Sequence, residues 1–93
     1  MKEILVTGGA GYIGSNVVNL LIKKRYKVII IDNLSTGHQN LIHPRASFYK
    51  VNISNTKKLD GVFSTHNIDT VVHLAGLSRI DESAKKQAMY FLI

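Results

Sequence analysis

Val6-Thr7-Gly8-Gly9-Ala10-Gly11-Tyr12-Ile13-Gly14 decides the reading of this chain. The apolar residues Ile4, Leu5 and Val6 lead into it as a short strand, and glycines stand at 9, 11 and 14. An amphipathic helical pattern follows, then a second apolar run, Val28-Ile29-Ile30-Ile31, which ends on Asp32. Strand, glycine turn, helix, strand and acid in this order form the dinucleotide-binding fingerprint. One glycine permits the tight turn, one lets the backbone approach a pyrophosphate, and one lets the helix pack close to the strand. The pyrophosphate then rests on the exposed N–H groups at the positive end of the helix. Three glycines carry an entropic cost that a plain strand–helix turn, needing only one, would not incur. An acid where Asp32 stands takes the adenosine ribose hydroxyls and repels a 2′-phosphate, which favours NAD over NADP.

Outward from this core the pattern stays α/β. The first strand is expected over residues 2–7 and the first helix from Tyr12 to Lys24. Ile13, Val17, Leu20 and Leu21 form its apolar face, while Ser15, Asn16, Asn19 and Lys23 face water. The second strand spans 27–31, and its unbroken β-branched run suits a parallel strand covered on both sides. A polar loop follows from Asn33 to Ala46, punctuated by Gly37 and Pro44. A third strand is expected over Ser47–Val51. A helix follows from Thr56 to His66, with Leu59, Val62 and Phe63 on one face and Ser54 or Asn55 as its cap. Gly61 weakens that helix. A fourth strand takes Asp69–Leu74, and a third helix is expected from Asp81 to the C-terminus. Right-handed crossovers then give a partial Rossmann-type, doubly wound parallel sheet of four strands, order 3-2-1-4, with three helices. The fourth strand would lie at a sheet edge. The ligand crevice belongs at the carboxyl ends of the strands, where the winding reverses between the first and fourth.

Composition narrows the function classes. The chain has 93 residues, enough for one small domain and short for a complete doubly wound one. Apolar residues make up 45% and charged residues 19%, which is globular rather than disordered. There is no cysteine, so disulfides, thiolate metal sites and a catalytic thiol are excluded; this suits a cytoplasmic location. The start is not a signal peptide, and no apolar run approaches the ~20 residues of a membrane span. The net charge of +6 invites a nucleic-acid reading. Its positions oppose it: Lys23, Lys24, Arg25 and Lys27 gather where a helix ends, and Lys57, Lys58, Lys85 and Lys86 are scattered without interleaved aromatics. His38, His43, His66 and His73 have no metal-ligand spacing. His73 closes a buried strand and reads as a packed, hydrogen-bonded residue.

Three further strings carry a resemblance. They are TGGAGYIGSN at 7–16, DNLSTGH at 32–38 and IDTVVHLAGLSRIDES at 68–83. With them the chain resembles the N-terminal part of the UDP-glucose 4-epimerase family, extended short-chain dehydrogenases/reductases of the NAD-dependent epimerase/dehydratase group. The resemblance implies that residues 1–93 are the N-terminal half of an NAD-binding domain. It implies NAD as cofactor, contacted by Gly8, Gly9, Gly11, Tyr12, Ile13, Gly14, Asp32, Asn33, Leu34, Asn52, Ile53, Leu74, Ala75 and Gly76. The family oxidises a sugar nucleotide at C4 by hydride transfer and returns the hydride to the other face, with the tyrosine of a Tyr-x-x-x-Lys motif as base. No such motif occurs here, so no catalytic residue is assigned and the chain alone is expected to be inactive. Val51-Asn52 stands where the family has Gly-Asp; the Asn52 amide oxygen can still accept from the adenine amine. Ser78 stands where the family often has a lysine, with Arg79 following it, and Gln87 stands where it usually has a proline. Glu82 and Ser83 match the family and also read as ordinary residues of a helix start. Two alternatives stay open: a non-catalytic dinucleotide-binding module, and half of a split sugar-nucleotide dehydratase. A complementary C-terminal chain and self-association are the protein partners expected, with neither nucleic acid nor membrane.

Overall fold

In the computed structural model, residues 2–34, 39–52 and 54–74 are described together with the backbone of 89–92. Five strands form one sheet: β1 (Glu3–Thr7), β2 (Lys27–Asp32), β3 (Ser47–Lys50), β4 (Ile68–His73) and β5 (Met89–Leu92). Their order is β3-β2-β1-β4-β5, and every adjacent pair is parallel. Helix α1 (Tyr12–Lys23) joins β1 to β2, and α2 (Thr56–Thr65) joins β3 to β4. A 3₁₀ turn at Gln39–Leu41 interrupts the expected loop. The expected order 3-2-1-4 is therefore present.

Side-chain alternation divides the core into two layers. Ile4 and Val6 of β1 join Val28 and Ile30 of β2 on one side, where Val18 of α1 completes the buried cluster. Leu5, Ile29 and Ile31 point the other way and meet Leu59, Val62 and Phe63 of α2. Successive residues of a strand face opposite sides of a sheet, so a continuous apolar run supplies both layers at once. The expected face of α2 is thus the buried one. Asn55 caps it, its side-chain oxygen accepting from Lys58 N–H at 3.2 Å. Gly61 lies exposed on the outer surface of the helix, with nothing near it.

Two expectations are corrected. Helix α1 buries Gly14 and Val18, with Leu21 and Ile22 packed beside them, whereas Ile13 and Leu20 are 67% and 55% exposed. The apolar pattern offered two seams about one residue apart. Close approach of Gly14 to the Gly8–Gly9 backbone selects the second. The C-terminal expectation also changes. Residues 81–88 of the expected third helix lie outside the described residues, but Met89–Leu92 is a strand, aligned Thr70↔Met89 through His73↔Leu92. Two helices are therefore present among the described residues, and β4 is covered rather than at an edge. A short apolar run reads equally as helix or strand by periodicity, and the open edge of β4 supplies backbone partners that decide for strand.

The bottom edge of the sheet is tied by Glu3. Its carboxylate lies 3.4 Å from Lys27 Nζ and 3.4 Å from His66 Nδ1, and accepts the Asn67 N–H at 3.0 Å. His66 in turn shares a 2.7 Å hydrogen bond with the Tyr49 hydroxyl. No described helix is long and apolar enough to cross a membrane.

Candidate dinucleotide site

The carboxyl end of β1 feeds directly into the glycine turn, and the end of β2 lies beside it. Gly8 adopts a left-handed backbone, φ 77°, which glycine accepts without steric cost. Its N–H donates to the Ile31 carbonyl at 2.8 Å, and its carbonyl accepts the Gly11 N–H at 3.1 Å. The chain thereby reverses within a few residues and starts α1 above the sheet. A Cβ on Gly9 would meet Ile30 Cγ2 at 2.7 Å, and one on Gly14 would strike the Gly8 carbonyl oxygen. Gly11 differs: a Cβ there would meet only the Gly8 oxygen, at an ordinary 3.4 Å. Two of the glycines therefore serve packing, and Gly11 keeps the outer side of the turn open. As N-cap of α1, Gly11 has no side chain to cap the helix, and the first turn holds no acid. The N–H groups of that turn and the positive helix end are left for an external anion. Tyr12 stands 80% exposed at this rim, beside exposed Ile13.

Asp32 sits at the end of β2, 7% exposed. One carboxylate oxygen accepts the Ala10 N–H at 3.0 Å and the other accepts the Leu34 N–H at 2.8 Å. Its carbonyl accepts Val51 N–H at 3.2 Å, which brings the end of β3 alongside. The acid expected to hold the ribose is thus bonded to the glycine turn. Leu34 itself has a left-handed backbone, φ 63°. Asn33, between them, has a polar partner of its own.

Across the switch point, Thr7 of β1 and His73 of β4 are both buried and share a 2.6 Å hydrogen bond between Oγ1 and Nδ1. The Leu74 N–H donates to the Thr7 carbonyl and to its hydroxyl oxygen, each at 3.0 Å. His73 is therefore the packed, hydrogen-bonded residue that its place in the strand suggests. Thr7 escaped the sequence reading; a threonine ahead of the glycines was the available signal.

The structure brings Gly8, Gly9, Gly11, Tyr12, Ile13 and Gly14 together with Asp32, Asn33 and Leu34 at one end of the sheet, with Leu74 beside Thr7. Asn52 lies exposed past β3, where its side-chain oxygen accepts from Ser54 N–H and Oγ at 3.0 and 2.8 Å. Both acceptor positions of that oxygen are used locally, so an adenine amine would have to displace one. Ile53, Ala75 and Gly76 lie outside the described residues, as do Ser78, Arg79, Glu82, Ser83 and Gln87. No cluster of metal-ligating side chains occurs among the described residues.

A parallel sheet wound in both directions from β1, with a glycine turn and a buried acid at its upper end, defines a Rossmann-type α/β protein. Sequence comparison narrows this. The chain belongs to the NAD dependent epimerase/dehydratase family, whose pattern matches residues 4–93. It is 46% identical over 88 residues to a UDP-glucose 4-epimerase of Halalkalibacterium halodurans, covering 95% of this chain and 26% of that protein. Among solved structures it resembles the UDP-glucose 4-epimerase of Thermotoga maritima determined with UDP-glucose. The TM-score is 0.79 at 45% identity, over 82% of this chain and 25% of that one. The Thermus thermophilus UDP-glucose 4-epimerase in complex with NAD gives a TM-score of 0.77 at 30% identity, over 89% of this chain and 27% of that one. The chain thus spans about a quarter of the length of these relatives.

Proposed function

We propose that this chain is the NAD-binding portion of a UDP-glucose 4-epimerase-like enzyme. The observation that carries the reading is the Asp32 carboxylate, held at the mouth of the glycine turn, where each oxygen accepts one main-chain N–H among the described residues and has lone-pair capacity for a second donor. Two vicinal ribose hydroxyls match that pair of acceptors. The uncapped first turn of α1 would take the pyrophosphate, and the bare outer side of Gly11 lets it approach. Tyr12 and Ile13 would contribute backbone N–H groups there, and Asn33 and Leu34 would border the adenosine. Bound NAD supplies a hydride acceptor and donor. This chain's own part is to bind it, orient it and favour it over its 2′-phosphorylated form.

Hydride removal from a sugar C4 requires a base within hydrogen-bond reach of the departing hydroxyl proton. The 93 residues hold no Tyr-x-x-x-Lys. We therefore expect no turnover by this chain alone, and a complementary C-terminal chain as the partner that would restore it. A cytoplasmic role in galactose metabolism fits this assignment, and exposed Tyr12, Ile13 and Leu20 favour self-association of the isolated chain.

Calorimetry of NAD with the purified chain tests the reading. Binding that is lost in Gly11→Val, with the fold intact by circular dichroism, is the expected result; unchanged affinity in that variant would remove the pyrophosphate from this turn. An assay with UDP-galactose and NAD is expected to yield no UDP-glucose above background.

A further inference from the structure

We infer that Thr7 and His73 are positioning residues for the nicotinamide half of the cofactor: their buried side-chain bond fixes the end of β4 against the end of β1, across the crevice from Asp32. The inference rests on the NAD reading above and extends it to the other half of the dinucleotide. A dinucleotide lies across the switch point with one mononucleotide on each side. The acid at the end of β2 assigns the adenosine half to that side, so the nicotinamide half falls over β4.

Thr7 is where the two sides part. Its carbonyl accepts the Leu74 N–H on the β4 side at 3.0 Å, whereas the next residue, Gly8, donates its N–H to Ile31 of β2 at 2.8 Å. Past Thr7 the β1 backbone is therefore bonded toward β2. On the β2 side, the bond from the Ala10 N–H to Asp32 ties the strand end to the glycine turn. On the β4 side, the Thr7 hydroxyl makes the corresponding tie. It accepts the same Leu74 N–H at 3.0 Å and shares the 2.6 Å bond with His73 Nδ1. Both side chains are fully buried, so water does not stand in for a lost partner. His73 is also aligned with Leu92 of β5, so a shift at His73 is passed to the next strand as well. Thr7→Val keeps the strand and its main-chain pairing but releases the last residues of β4 from the hydroxyl. Thr7→Ser keeps the hydroxyl and loses only a methyl group. His73→Leu breaks the pair from the other side and leaves the Leu74 N–H its two oxygens on Thr7.

ADP separates positioning from mere stability, because it has the adenosine and both phosphates of NAD and lacks the nicotinamide riboside. Affinities for NAD and ADP are measured by calorimetry on folded chains. Thr7→Val and His73→Leu should each weaken NAD by about fivefold, the scale of one neutral hydrogen bond, with ADP binding as in the parent. Thr7→Ser should restore NAD. Unchanged NAD affinity, or NAD and ADP weakened in step, overturns the inference and leaves the pair a role in stability alone. A second measurement needs no variant. By linkage, a ligand half that depends on the tie must also strengthen it. Hydrogen exchange of the Leu74 amide in the unmodified chain should therefore slow more with saturating NAD than with saturating ADP, and equal protection by the two overturns the inference. If the unmodified chain binds ADP and NAD but the variants and the exchange show no difference between them, positioning fails and the NAD reading stands. If it binds neither nucleotide, both fail.

Discussion

The Thr7 hydroxyl and His73 Nδ1 lie 2.6 Å apart, joining the last residues of β1 and β4 inside the sheet where the winding reverses. The pair is aligned in register, and both side chains are buried. Thr7→Val keeps the shape and removes the hydroxyl. It should lower the unfolding free energy by about 1–3 kcal/mol, because a buried imidazole nitrogen loses a partner that water cannot replace. Urea denaturation measures this. A change below ~0.5 kcal/mol would mean that the bond adds nothing net to stability.

Glu3 gives the fold an acid-sensitive component. Partial burial works against its charge, but the side-chain bond to Lys27, the Asn67 N–H, the Lys27 charge and His66 together hold its carboxyl below the ordinary range. A lowered folded-state pKa means that the folded chain binds fewer protons than the unfolded one as the group titrates. The stabilisation is therefore complete above the ordinary carboxylate value of about 4.3 and is lost as pH falls through the lowered one. Glu3→Gln should flatten the acid limb of stability plotted against pH and leave its shape near neutrality unchanged. An acid limb of unaltered slope would assign the dependence to other carboxylates.

Gly14 and Gly11 should separate packing from binding. A Cβ at Gly14 would strike the Gly8 carbonyl oxygen and stand 2.9 Å from Gly9 Cα, both rigid backbone. Gly14→Ala should force α1 off the turn and cost about 1–3 kcal/mol, as overpacking does. Gly11→Ala meets only a 3.4 Å contact and should stay within about 0.5 kcal/mol of the parent. Equal losses in urea melts would contradict this division.

Gly61 offers a gain. It lies exposed within α2, and an added Cβ would meet nothing within 4 Å. Gly61→Ala should raise stability by about 0.5–1 kcal/mol through helix propensity and a less disordered unfolded chain. A fall in melting temperature would show that Gly61 serves something other than the helix.

The sequence carries the central strands plainly, because Ile4-Leu5-Val6 and Val28 to Ile31 need no partner to be recognised as buried. The glycine turn and Asp32 are equally legible, since their residue types are dictated by backbone and charge. The seam of α1 is not. Hydrophobic periodicity counts methyl groups, whereas the helix is placed by the missing Cβ of Gly14. The strand at Met89–Leu92 is hidden for another reason: its state depends on the free edge of a strand formed elsewhere in the chain. The bonds from Ala10 and Leu34 to Asp32 are invisible because main-chain donors have no residue signature. Leu34 itself is among the less expected residues in a left-handed conformation.

The middle position of β1 has a consequence for biosynthesis. Both of its hydrogen-bonded neighbours lie downstream in the chain and are therefore made after it. Thr7 must wait for Ile31 on one edge and for His73, 66 residues downstream, on the other. Until then a strongly apolar segment stays unpaired, which exposes the nascent chain to mispairing and to chaperone capture. The late arrival of β4, more than the strength of any local element, would then set the pace at which this sheet closes.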